Sequence, residues 1–177
     1  MPRVRDSALI DGVRLAELDV FADARGRFLE TWRAEWFPGA DPMIQGNRSD
    51  SAAGVLRGLH YHLRQADYWQ LIAGEVFVGL YDLRRASPTR GARETFSLTV
   101  ERGLYIPRGV AHGFYAGVDA TLTYLVDRTY DGGADELGLA WNDLDAAIPW
   151  PVATPVLSAR DLKNPALRDI PDDRLPA

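Results

Sequence analysis

Two short motifs hold every histidine in this chain, and they constrain what it can fold into more than any bulk property does. The first reads Gly54-x5-His60-x-His62-x4-Asp67-x6-Gly74, and the second reads Pro107-x-Gly109-x2-His112. Strand side chains alternate between two faces, so on a strand His60 and His62 share one face and reach one pocket. A single histidine is most simply a satisfied core or surface residue. Three histidines in 177 residues, all inside two spaced motifs, point instead to a functional pocket.

The surrounding sequence favours strands. Tyr68-Trp-Gln-Leu-Ile, Val76-Phe-Val-Gly-Leu-Tyr, Thr95-Phe-Ser-Leu-Thr-Val, Leu104-Tyr-Ile and Thr121-Leu-Thr-Tyr-Leu-Val are rich in β-branched and aromatic residues. Ala73-Gly74, Ser87-Pro88-Thr-Arg-Gly91, Glu101-Arg-Gly103 and Pro107-Arg-Gly109 separate them with turn chemistry. The first fifty residues are less regular. Gly26 to Trp32 reads as a further strand, Arg33 to Phe37 as a short helical turn stopped by Pro38-Gly39, and Ser158-Ala-Arg-Asp161 as the opening of one helical turn. This pattern predicts an all-β sandwich or barrel with short peripheral helices.

At this length one domain suffices: an N-terminal arm over 1–50, a core barrel over 51–130 and a C-terminal segment over 131–177 covering the pocket. The formal net charge of -5 gives no basic excess for nucleic acid or an anionic membrane. Phosphate recognition would then rest on a few placed arginines. The absence of cysteine excludes disulfides and thiolate metal sites. No apolar leader or membrane-length run stands out, which makes the cytoplasm the expected location.

The two motifs resemble the paired motifs of cupins, with aspartate where glutamate is usual and Ala116 where the second motif ordinarily has asparagine. The resemblance implies a cupin-type double-stranded β-helix, a jelly roll. Flanking strings narrow it further: Val55-Leu-Arg-Gly-Leu-His-Tyr, Gly74-Glu-Val-Phe, Asp82-Leu-Arg-Arg-Ala-Ser-Pro-Thr-Arg-Gly, Tyr105-Ile-Pro-Arg-Gly-Val-Ala-His-Gly-Phe and Trp141-Asn-Asp. Together, from Asp23 to Asp161, these resemble the dTDP-4-dehydrorhamnose 3,5-epimerase family. That resemblance implies an isomerase acting on a nucleotide-linked 4-keto-6-deoxyhexose, with no required cofactor and a homodimeric assembly. It implies His60 as base, Asp161 as its orienting carboxylate and Tyr124 as acid. It also implies Arg25 and Arg57 at the diphosphate, Glu30, Gln45 and Asn47 near the nucleotide, and His112 lining the sugar pocket.

The chain departs from the family where it matters chemically. His62 stands where the family commonly has glutamine, and Asp67 where it has a lysine facing the developing enolate. A carboxylate there opposes the build-up of negative charge, and losing one oxyanion donor commonly costs roughly 10²- to 10³-fold. Three expectations follow. Arg64 reaches in to supply the charge; or His60, His62, Asp67 and His112 hold a divalent metal, the ligand set that cupins use; or the pocket binds a nucleotide sugar without chemistry. A metal on His60 conflicts with its use as a base, since one lone pair cannot do both. A smaller departure is Arg27, in a segment where the family often has an aromatic that stacks on the base.

Overall fold

The computed structural model describes residues 2–177 and is almost entirely antiparallel β-structure. The strands are β1 (Arg3–Asp6), β2 (Arg14–Glu17), β3 (Val20–Asp23), β4 (Gly26–Leu29), β5 (Gln45–Ser51), β6 (Leu56–Tyr61) and β7 (Asp67–Ala73). They continue with β8 (Val76–Asp82), β9 (Arg93–Leu98), β10 (Arg102–Ile106), β11 (Val110–Tyr115), β12 (Ala120–Val126) and β13 (Leu137–Gly138). One sheet has six strands in the order β1-β2-β10-β7-β12-β5, and a second has five in the order β13-β6-β11-β8-β9. The two sheets form a cupin-type jelly roll, and β3 and β4 stand apart as a hairpin.

The alternation of side chains along each strand explains why three apolar clusters form. Trp69 and Leu71 of β7, Val76, Val78 and Leu80 of β8, Val110 and Phe114 of β11, and Leu122 of β12 point between the sheets. Tyr68, one residue out of phase on β7, packs on the outer face with Leu18, Trp36 and Phe37. Leu59, Tyr61 and Ala111 cover the other outer face with Leu139, Ile148 and Ile170 from the C-terminal segment. Each large side chain buried this way contributes about 1.5–3 kcal/mol.

All six predicted strands exist, with shifted ends. The strand expected over Thr95–Val100 runs Arg93–Leu98, because the Arg102 N–H donates to the Thr99 carbonyl at 3.1 Å and turns the chain earlier. Gly103, read as part of that turn, lies inside β10 instead. The N-terminal strand ends at Leu29 rather than Trp32, where Trp32 stacks on Phe37 at 5.1 Å. Helical structure is limited, among the described residues, to single 3₁₀ turns at Ala34–Trp36, Asp161–Lys163, Leu167–Asp169 and Asp172–Arg174. The turn at Asp161 begins as its spacing suggested, with the Ser158 hydroxyl accepting from the Asp161 N–H at 3.0 Å. No helix among the described residues is long and apolar enough to cross a membrane.

Two glycines position the functional strands. A Cβ on Gly58 would lie 2.7 Å from the Gly113 Cα, so only glycine lets β6 approach β11 beside the histidines. Gly74, at φ +81 in the β7–β8 turn, would place a Cβ 2.5 Å from the Asp119 carbonyl oxygen. The first motif's last glycine is therefore a packing requirement.

Candidate active site

His60 and His112 face each other across the β6–β11 pair and project between the sheets. On the opposing sheet, Tyr124 of β12 is flanked by Trp69 of β7 and Asn47 of β5. These faces enclose a cavity of about 230 Å³ lined by His60, His62, Asp67, His112, Tyr124 and Arg57, among others. A second cavity of about 520 Å³, lined by Gln45, Asn47 and Tyr130, shares His62, Gln65, Tyr124 and Glu136 with the first. The inward alternation of β5 brings Gln45, Asn47 and Ser49 to these walls while Gly46, Arg48 and Asp50 face out.

The imidazole of His60 is held from behind. Its Nε2 lies 2.6 Å from Asp161 Oδ1, and because a carboxylate only accepts, Nε2 carries the hydrogen and Nδ1 is the basic nitrogen. Asp161 is buried, which pushes its carboxyl up. Hydrogen bonds from His60, Ser158 and the Gly58 backbone outweigh that and hold it below the ordinary carboxylate value. It therefore stays ionised and stabilises an imidazolium. Tyr124 shifts the other way: burial first, then the charges of Asp67 and Glu136, raise its phenol above the ordinary value despite Arg57. A phenol held protonated through the neutral range is a competent acid.

The remaining histidines are fixed differently. His62 Nδ1 donates to the Asp135 carbonyl at 2.7 Å and His112 Nδ1 to the Val110 carbonyl at 2.9 Å. Their rings lie 5.5 Å apart, and Trp69 meets His112 edge-on at 5.3 Å. Burial pushes the His112 pKa down to about 4, against the attraction of Asp67. Ligand atoms of His62, Asp67 and His112 all lie within 4.8 Å of one another. The expected four-residue set is therefore narrower: His60 is engaged with Asp161 and stands outside the group.

Arg64 does not reach into the smaller cavity. Its guanidinium pairs with Asp131 at 2.7 Å and remains largely exposed. The expectation that it reaches in beside Asp67 is corrected: pairing with Asp131 holds it at the wall of the larger cavity, with Asp135 also accepting from the Leu63 and Arg64 N–H groups. Arg25 and Glu30 are likewise not brought to the cavities by this chain. Arg25 pairs with Asp23 at 2.6 Å at the hairpin tip with its side chain 90% exposed, and Glu30 pairs with Arg33. Arg27 turns to Glu101 at 3.2 Å, and the exposed aromatics of its hairpin are Phe21 and Phe28. Sequence reasoning missed Gln65, Glu136 and Arg160, which line the smaller cavity. Gln65 was legible as the polar residue between His62 and Asp67, whereas Glu136 follows Gly132-Gly133 in a loop with no motif.

The chain matches the dTDP-4-dehydrorhamnose 3,5-epimerase family over residues 7–169. It belongs to that family. A dTDP-4-dehydrorhamnose 3,5-epimerase of Neisseria gonorrhoeae is 42% identical over 165 residues, covering 89% of this chain and 50% of the relative, so this chain spans half the length of that protein. A dTDP-4-dehydrorhamnose 3-epimerase of Streptomyces niveus is 40% identical, covering 86% of this chain and 78% of the relative. Among solved structures, the Legionella pneumophila epimerase in complex with dTDP-4-keto-L-rhamnose superposes with a TM-score of 0.91 at 33% identity, covering 99% of this chain and 98% of the other. A 4-keto-6-deoxy sugar epimerase from the novobiocin gene cluster of Streptomyces spheroides gives 0.90 at 37% identity, covering 100% and 94%. In this chain the His60–Asp161 pair and Tyr124 stand on opposite walls of one cavity, which shares His62, Gln65, Tyr124 and Glu136 with the larger one.

Proposed function

We propose that this chain inverts C3, C5 or both of a dTDP-linked 4-keto-6-deoxyhexose in deoxysugar biosynthesis, using His60 as base and Tyr124 as acid. The C4 ketone acidifies the protons on both neighbouring carbons. His60 Nδ1 removes one from one side of the ring, an enolate forms, and the Tyr124 hydroxyl returns a proton to the other face. Asp161 fixes the His60 tautomer and stabilises the charge that His60 gains. The shuttle conserves electrons and requires no redox cofactor. The observation that carries this reading is the placement of His60 and Tyr124 on opposing sheets around one cavity.

In this reading Arg57 faces the diphosphate, Gln45 and Asn47 face the nucleotide from the larger cavity, and His112 lines the sugar pocket. Arg25 and Glu30 enter from a second copy in a homodimer. The support is the exposed hairpin itself, where Phe21 is 60% and Phe28 64% exposed beside Arg25. Such apolar surface ordinarily meets a partner. Mixed dimers carrying Arg25→Ala in one subunit and His60→Asn in the other should separate the two sites. Activity of these mixed dimers above that of both parent homodimers supports exchange of the hairpin, and mixed dimers no more active than their parents, or a strictly monomeric protein in solution, rule it out.

The activity itself is tested by incubating the protein with the dTDP-4-keto-6-deoxy sugar in deuterated water. Deuterium should accumulate at the inverted carbon. Binding without any incorporation would overturn the enzymatic reading and leave a nucleotide-sugar-binding protein.

A further inference from the structure

The buried aspartates of this protein are mostly held by a cation, a histidine or an array of backbone donors, whereas Asp67 has two neutral side-chain donors. Asp82 holds Arg84 at 2.8 Å, Asp127 pairs with Arg108 at 2.5 Å, Asp161 holds His60, and Asp143 accepts from the backbone N–H groups of Asp145, Ala146 and Leu167. Asp67 is just 3% exposed, and among the described residues it pairs with no arginine or lysine. Its hydrogen-bond donors are neutral: the Gln65 amide at 2.8 Å and the Trp69 indole at 3.2 Å. A buried carboxylate without a compensating cation carries a desolvation cost that neutral donors offset only in part.

The groups beside it are acceptors as well. Both carbonyl-anchored imidazoles carry their hydrogen on Nδ1, so in their neutral form His62 and His112 turn Nε2 lone pairs toward the same region as Asp67. His112 Nε2 lies 3.9 Å from Asp67 Oδ2. Fixing one ring nitrogen on a carbonyl so that the other presents its lone pair is how proteins orient histidine ligands. The Gln65 amide nitrogen touches two of the three acceptors, Asp67 Oδ1 at 2.8 Å and His62 Nε2 at 3.3 Å, and so stands on the side a cation would take.

We propose that His62, Asp67 and His112 form a binding site for one divalent first-row transition-metal ion, held by two imidazole nitrogens and one carboxylate oxygen. Two nitrogens and one oxygen suit Zn²⁺, Fe²⁺ or Co²⁺ better than Mg²⁺ or Ca²⁺, which favour oxygen shells. Metal–ligand bonds of about 2.0–2.2 Å require the three side chains to draw together by roughly an ångström, displacing the two Gln65 contacts. His60 is not a ligand, so its lone pair remains available as a base. The proposal rests on the epimerase reading only for its use: a bound metal would supply a Lewis acid in the cavity that also holds His60 and Tyr124.

The test is binding of Zn²⁺ and Co²⁺ to chelator-treated, untagged protein, followed by calorimetry and by the visible absorption of Co²⁺, alongside deuterium incorporation. The expected result is one ion per chain, with affinity falling by at least about 100-fold in His62→Gln and in Asp67→Asn and unchanged within about threefold in His60→Asn. No saturable binding, or binding that survives Asp67→Asn and His62→Gln, overturns the proposal. Since metal content is read independently of exchange, a protein that exchanges without binding metal refutes the site and spares the epimerase reading. One that binds metal in this pattern without exchanging does the reverse.

Discussion

The smaller cavity has two ends, each built on histidine, and they differ in what holds the rings. At one end a carboxylate grips His60 from behind, through Asp161 on a segment a hundred residues later in the chain. At the other, backbone carbonyls grip His62 and His112. A carboxylate sets the tautomer and also stabilises the cation, which suits a group that must gain a proton. A carbonyl sets the tautomer with far less charge, which suits a group that must offer a lone pair and keep it. The same side chain is thus prepared for two chemistries by its second nitrogen.

The largest expected effect comes from the base. His60→Asn should lower turnover by about 10³-fold or more while leaving metal affinity intact, as single-turnover assays beside calorimetry would show. An equal loss at both ends would erase the distinction between them. Asp161→Asn should cost about 10²-fold in kcat with KM little changed, because it acts on the proton transfer through His60.

Stability sharpens the same contrast. The Asp161 carboxyl is depressed in the folded protein, so its contribution is fully present above the ordinary carboxylate value of about 3.9 and is lost as pH falls through the folded value. Urea titrations of Asp161→Asn should therefore show reduced stability at neutral pH and a flatter decline below about pH 4. Asp67→Asn, measured without metal, should change stability by less than about 1 kcal/mol or increase it, since it removes a buried charge that has neutral partners. The smallest expected effect belongs to Glu136→Gln. Its charge helps raise the Tyr124 phenol, so its removal should move the alkaline limb of the rate profile to lower pH.

Much of this was legible in the sequence because period-two alternation and turn glycines act locally. The i, i+2 spacing of His60 and His62 put both rings on one cavity, and Gly74 marked the β7–β8 turn. What the residues could not show alone were contacts made at long range. Asp161 meets His60 through packing of the C-terminal segment, and only the family resemblance pointed to it. Arg64 sits beside the motif yet is held at the larger cavity by Asp131, a competition no local pattern encodes. The strand over Arg93–Leu98 was displaced because a hydrogen bond to the Thr99 carbonyl, not glycine chemistry, set the turn.

The most direct test compares deuterium incorporation with inversion in two variants. Tyr124→Phe should still load solvent deuterium at the acidified carbon while forming little inverted product, and His60→Asn should load none. If His60→Asn exchanges at the rate of the unaltered protein, or Tyr124→Phe inverts at its usual rate, the two residues do not act from opposite walls as base and acid.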